Sequence, residues 1–196
     1  MSPQTFIFIG RSGCGKGTQV ELLKKLIADK DPSGEIFYLE TGARFRDFIS
    51  GEKYSNRLAD KIYKSGERQP DFLAVWMWAH FLVDSFKGTE HAFFDGITRS
   101  LPEALTFTTA MDFYGRKPIV IYIDVSRKWS EERLLARGRA DDKSLEEIKR
   151  RLDWFDKDSY PAVEYFGSNP TYTLLTINGE QTIEDVHKEI LSKLGW

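Results

Sequence analysis

The chain has 196 residues, 41% of them hydrophobic, which supplies one sizeable core and excludes a long disordered chain. Its 28 basic and 30 acidic side chains leave a formal charge of −2, so no global positive field draws it to nucleic acid or anionic lipid, and a phosphate site must be local. One cysteine, Cys14, excludes an internal disulfide and a four-thiolate zinc site, and the lack of a basic leader or of a run of 18 apolar residues predicts a cytoplasmic protein with no membrane span.

In chain order, Thr5 to Ile9 reads as a first strand. Beyond a glycine turn, Val20, Leu22, Leu23, Leu26 and Ile27 fall at helical spacing and predict a helix over Lys16 to Ala28, stopped before Asp31-Pro32-Ser33-Gly34. Ile36 to Leu39 is a second strand. The stretch from about 41 to 72 reads as short polar helices, too long for a crossover loop, and is taken as an insert. Asp71 to Phe86 follows as a helix with a broad apolar face and Asp71 as its N-cap after Pro70, its tryptophans Trp76 and Trp78 read as core. Strands over Ala92 to Phe94, Ile119 to Val125 and Tyr172 to Ile177 alternate with helices over Leu101 to Tyr114, Arg127 to Arg137, Ser144 to about Asp158 and Ile183 to Leu194, with Ser144 and Thr182 as caps. Such alternation predicts an α/β chain: one domain, a five-stranded parallel sheet with helices on both faces.

The segment Gly10-Arg11-Ser12-Gly13-Cys14-Gly15-Lys16-Gly17-Thr18 lies between the first strand and the first helix. Glycines let backbone N–H groups turn inward around a polyphosphate, the helix N-terminus adds partial positive charge, and Lys16 brings an ammonium to the outer phosphates. The Thr18 hydroxyl suits Mg²⁺. Gly17 stands where serine or threonine is usual in a phosphate loop, with the hydroxyl one place later. A plain helix-capping glycine turn is the competing reading, and Cys14 reads either as a spacer or as a redox-sensitive thiol. The loop predicts a P-loop NTPase-type three-layer sandwich.

The string GxxGxGKGTQ resembles the adenylate kinases and related nucleoside monophosphate kinases. Three further blocks follow in that family's order: Thr41-Gly42-Ala43-Arg44-Phe45-Arg46 resembles its TGDxLR segment, Asp95-Gly96-Ile97-Thr98-Arg99 its DGFPR segment, and Arg133, Arg137, Arg139, Asp141, Asp142 and Arg151 the basic elements around its lid. The resemblance implies Mg²⁺-dependent transfer of the γ-phosphoryl of ATP to AMP or another monophosphate in a monomer whose partners are small nucleotides. It implies that Gly13, Cys14, Gly15, Lys16, Gly17, Thr18, Arg133 and Arg137 bind ATP. Thr41, Gly42, Arg46, Gln69, Gly96, Arg99, Glu103, Arg139 and Arg151 would bind the acceptor, and Thr18 and Asp95 the Mg²⁺, Asp95 through water. Lys16, Arg99, Arg133, Arg137, Arg139 and Arg151 would line the transfer path; Arg150 competes with Arg151, and the following Leu152 favours Arg151. Only Gly138 separates Arg137 from Arg139, so the lid, about 137 to 142, is very short.

The arginines fit that chemistry on their own terms. Phosphoryl transfer between two polyanions needs positive charge where negative charge gathers, and guanidinium forks bind phosphate oxygens bidentately. Arg133 and Arg137, four apart, share a helix face, where a solvated face pairing with Glu131 and Glu132 is the plainer alternative. No general base is needed, because a nucleotide monophosphate is already mostly dianionic at neutral pH. The competing functions are a small-metabolite kinase sharing the loop and a nucleotide-hydrolysing regulatory module.

Glu103 stands where adenylate kinases carry a glutamine that pairs with adenine. An ionised glutamate only accepts hydrogen bonds, so it suits the amine of adenine or cytosine or the N–H pair of guanine, and it predicts a broadened or shifted acceptor choice; the alternative is an exposed first-turn glutamate favoured by the helix dipole. Ala43 and Thr98 replace the family's aspartate and proline. His80, His91 and His187 have no metal-ligand spacing, and Asn178-Gly179-Glu180 is either a contact to the donor base or a turn.

Overall fold

The computed structural model describes residues 1–137 and 144–196. Five strands, β1 (Thr5–Ile9), β2 (Ile36–Glu40), β3 (His91–Asp95), β4 (Ile119–Asp124) and β5 (Thr173–Asn178), form one all-parallel sheet in the order β2-β3-β1-β4-β5. Parallel strands need crossovers, and helices supply them: α1 (Lys16–Lys30), α2 (Thr41–Ile49), α3 (Tyr54–Lys64), α4 (Asp71–Ser85), α5 (Leu101–Phe113), α6 (Arg127–Arg137), α7 (Leu145–Trp154), α8 (Tyr160–Ser168) and α9 (Ile183–Leu194). A π-helical turn, Phe155–Ser159, joins α7 to α8.

Strand β1 is buried on both faces, which is why it reads as an unbroken apolar run rather than an alternating one. Ile7 and Ile9 pack with Leu39, Phe94, Trp78, Phe107 and Phe166 on one side of the sheet. Phe6 and Phe8 pack with Val20, Leu23, Ile27, Ile177 and Ile190 on the other. Those two layers hold the strands in register, so that their C-terminal ends open along one edge at Gly10, Thr41, Gly96, Val125 and Gly179. Ligands of open α/β sheets bind at that edge, where the strand order reverses.

Three sequence expectations need correction. Pro70, not Asp71, is the N-cap of α4, and the Asp71 carboxylate instead accepts from Arg68 Nη1 and Ser100 Oγ, both at 2.7 Å. Trp78 is core at 1% exposed, but Trp76, on the other side of α4, is 46% exposed and packs against Phe48 and His80. Pro161 lies in a helix at 160–168 that the expected elements do not include. Here it sits in the first turn of α8, where a missing amide costs nothing, and the π-helical turn carries the chain into it. Ser144 and Thr182 do cap α7 and α9, accepting from the amides of Glu147 and Asp185.

Candidate active site

The glycine-rich loop leaves β1 and enters α1 at Gly15, whose backbone is left-handed at φ 94°, a conformation open to glycine at no steric cost. Thr18 is exposed in the first turn of α1, and Lys16 Nζ lies inside the loop, 2.6 Å from the Gly10 carbonyl oxygen. Cys14 is buried with its sulfur 3.7 Å from Lys16 Nζ. Arg11 points the other way: it donates to Asp156 Oδ1 and the Val125 carbonyl oxygen, both at 2.7 Å, and lies over the Phe155 ring.

Asp95, the last residue of β3, reaches the same loop. A methyl placed on Gly17 would stand 3.9 Å from Asp95 Oδ2. Burial raises the Asp95 carboxyl above its ordinary range, and the nearby Lys16 ammonium only partly offsets that. A buried, reluctantly ionised carboxylate beside the helix start suits a cation whose other ligands are phosphate and water. Among the described residues no cluster of three or more His, Cys, Asp or Glu side chains forms a cage for a metal by itself, the three histidines included.

Next to the loop, Gly42 marks where two elements converge. A methyl there would stand 3.4 Å from Arg46 Nη1, 3.6 Å from Glu40 Oε1 and 3.8 Å from Arg99 Nη2, so two guanidinium groups, from α2 and from the β3–α5 turn, and one carboxylate face one point. Arg46 also donates to Glu40 at 3.2 Å, and Arg99 Nε to the Gly96 carbonyl oxygen at 2.7 Å. Gly96, at φ 72°, leaves the room: a Cβ on it would collide with Arg99 Nη2 at 2.7 Å. Two guanidinium groups this close can take a dianion between them once Arg46 gives up its pairing with Glu40.

Glu103 is not the exposed first-turn glutamate offered as an alternative: it is 1% exposed. Its Oε2 accepts from the Arg99 amide at 2.8 Å, while the Glu103 amide donates back to the capping Ser100 hydroxyl at 3.3 Å. Burial raises its carboxyl above the ordinary range, with the Arg99 and Thr98 amides pulling the other way. Glu103 Oε1, Gln69 Oε1 and Thr41 Oγ1 are all buried without a hydrogen-bond partner among the described residues. All three belong to residues expected to meet the acceptor, and buried polar atoms in folded proteins are normally paired. Gln69 is fixed by its other end, Nε2 donating to the Ala59 carbonyl oxygen at 2.8 Å.

Thr98 is buried and has a positive φ of 56°. The proline that the family carries there is locked near −65° and cannot adopt that turn, so the replacement changes the backbone itself and does more than loosen it.

Of the remaining arginines, Arg133 on α6 lies over the Trp129 ring and lines a cleft with Gly13 and Gly15 of the loop. Arg137 is exposed in the last turn of α6, and Arg151 is half-buried on α7. Arg150 donates to the Ser65 carbonyl oxygen at the end of α3, at 3.0 Å. Arg139 and most of the expected lid lie outside the described residues. Sequence reasoning passed over Arg68, Ser159 and Gln181; of these only Arg68, a basic residue inside the expected insert, carried a visible signal.

A parallel sheet in this order, with a glycine-rich loop at the head of α1, is the α/β P-loop fold, and the relatives it matches make the chain a phosphotransferase with a phosphate as acceptor. The chain is 31% identical over 192 residues to adenylate kinase 1 of Nostoc sp., covering 96% of this chain and 97% of that one. It is 30% identical over 184 residues to an adenylate kinase of Porphyromonas gingivalis, at 92% and 90% coverage. It is 28% identical over 190 residues to the uridylate kinase of Saccharomyces cerevisiae, at 93% and 86% coverage. No family model matches the chain. The chain belongs to the adenylate kinase family, and it is a nucleoside monophosphate kinase that binds small nucleotides. Among the described residues no helix is long and apolar enough to cross a membrane.

Proposed function

We propose that the enzyme transfers the γ-phosphoryl of ATP to AMP, or to another monophosphate whose base carries an amino group, in a cytoplasmic monomer. The observation that carries the acceptor reading is the set of buried, unpartnered atoms Thr41 Oγ1, Gln69 Oε1 and Glu103 Oε1. An ionised Glu103 offers only oxygen, whereas Gln69 keeps its oxygen and one amide hydrogen beside the bond to the Ala59 carbonyl. The Glu103 carboxylate, an acceptor only, favours a base with an amine to give, such as adenine or cytosine, over uracil with its two carbonyls.

In this reading residues 41–72 form the acceptor-binding part, with Thr41, Gly42, Gln69, Gly96 and Glu103 around the nucleotide and Arg46 and Arg99 on its phosphate. The loop amides, Gly13, Cys14, Gly15 and Gly17, hold the donor phosphates. Lys16 leaves the Gly10 carbonyl to meet them, and Arg133, Arg137, Arg139 and Arg151 gather around the transferred group. Thr18 and Asp95 would hold Mg²⁺, Asp95 through water, and the metal supplies charge neutralisation between the phosphates when bound. Residues about 137–142 act as a very short lid, and closure excludes water that would otherwise accept the phosphoryl group.

The test is a coupled diphosphate-formation assay with ATP and Mg²⁺ against AMP, CMP, GMP and UMP. The expected order places AMP first and UMP last; equal or better use of UMP overturns the acceptor reading, and no diphosphate with any monophosphate overturns the whole assignment. Sedimentation of the purified chain checks the monomer.

A further inference from the structure

Between α6 and the turn joining β5 to α9 a cleft opens beside the phosphate loop, lined among others by Gly13, Gly15, Trp129, Arg133, Gly179 and Gln181. Helix α6 stands hard against the loop: a methyl on Gly13 would lie 3.2 Å from both the Ser130 carbonyl oxygen and Leu134 Cγ. The Arg133 guanidinium carbon lies 4.6 Å from the centre of the Trp129 ring, within cation–π range.

Among the polar residues that line the cleft, with Thr18, Gln19 and Arg133, is Gln181. Its Nε2 donates to the Asn178 carbonyl oxygen at 2.9 Å and to Glu189 Oε2 at 2.7 Å, which uses both amide hydrogens. Glu189 is itself tied down, its Oε1 accepting from Lys193 Nζ at 2.8 Å and from the Asn178 amide at 3.3 Å. Burial alone would raise the Glu189 carboxyl, but the bonds from Lys193 and Gln181 outweigh it and keep it below the ordinary range, hence ionised. Turning the Gln181 amide over would set its oxygen against that carboxylate and against the Asn178 carbonyl. The orientation is therefore fixed, and Oε1, which no donor reaches among the described residues, is the one polar atom of the side chain left to the cleft.

We propose that Gln181 is the donor-specificity residue of this kinase: its Oε1 accepts from the 6-amino group of an adenine stacked on the Arg133–Trp129 pair and turns away guanine, whose O6 would meet it lone pair to lone pair. The inference rests on the reading of the loop as a donor-triphosphate site and adds the residue that tells one purine from the other.

The test compares ATP, purine riboside triphosphate, which lacks the amine, and GTP as donors at saturating acceptor, in the wild type and in Gln181→Met, with Gln181→Leu as a second apolar replacement. In the wild type, deleting the amine raises the donor KM about tenfold with a smaller change in kcat, as one lost hydrogen bond requires, and GTP is used more poorly still. In Gln181→Met the two adenine-sized donors converge to within about twofold. A merely structural role would slow both donors equally and leave their ratio at the wild-type value, which overturns the proposal. So does a wild type that uses the amine-free donor as well as ATP, a result that needs no variant to fold. If phosphoryl transfer proceeds with the wrong donor ratios, this inference alone fails; if no donor yields a diphosphate, the transfer reading fails with it.

Discussion

The amide of Arg99 donates to Glu103 Oε2 at 2.8 Å, which ties the backbone of the residue proposed to hold the acceptor phosphate to the carboxyl proposed to meet its base. In that reading, one turn of chain couples phosphate and base recognition. Glu103 pays for this position with a raised carboxyl.

Glu103→Gln is expected to stabilise the free protein at neutral pH. The folded carboxyl lies above its ordinary 4.5, so its contribution is fully present below that value and is lost as pH rises through the folded value. Glutamine keeps an oxygen for the Arg99 amide and does not titrate. Urea unfolding of both proteins from pH 4 to pH 8 should show the advantage of the variant opening with rising pH and then levelling. Its added N–H donors also suit the adenine ring nitrogen, so AMP should gain about tenfold over GMP in kcat/KM.

Restoring the family's proline should harm this chain. Thr98→Pro demands a φ near −65° where the backbone holds +56°, and it removes an amide that supports the Glu103 carboxyl. A loss on the order of 3 kcal/mol in unfolding free energy is expected. A variant as stable as the parent would show that the turn is free to change hand.

Asp95 sets activity against stability. Its carboxyl is raised, chiefly by burial, above the ordinary 3.8, so the ionised form costs stability once pH exceeds the folded value. Asp95→Asn removes that cost and should unfold at higher urea than the wild type at pH 7, while kcat falls by about 100-fold or more and the Mg²⁺ requirement rises. Chemical unfolding and a Mg²⁺ titration of the rate check the two halves separately.

Arg99→Lys keeps the charge but loses the planar fork that meets Arg46 near Gly42. The acceptor kcat/KM should fall about 100-fold, with the donor KM changed little. Equal losses for donor and acceptor would place Arg99 elsewhere on the reaction path.

The sequence by itself determined the five strands and the loop, because an apolar run buried on both faces and a glycine-lysine turn before a helix are local signals that no tertiary contact has to supply. It also named Thr41, Gln69, Arg99 and Glu103, though only through resemblance, since Thr41 and Glu103 lie 62 positions apart along the chain. Tertiary structure decided what local pattern cannot encode. The sheet order brings α2 and the β3–α5 turn to one edge, so Arg46 and Arg99 meet beside Gly42. Packing buries Glu103, which its helical position alone left as a surface residue. The π-helical turn carries Pro161 past its usual role as a stop, and it places Ser159 Oγ on the Arg99 carbonyl oxygen at 2.9 Å. Each depends on which elements are neighbours in space, and side-chain desolvation and hydrogen-bond pairing are settled only once those neighbours are in place.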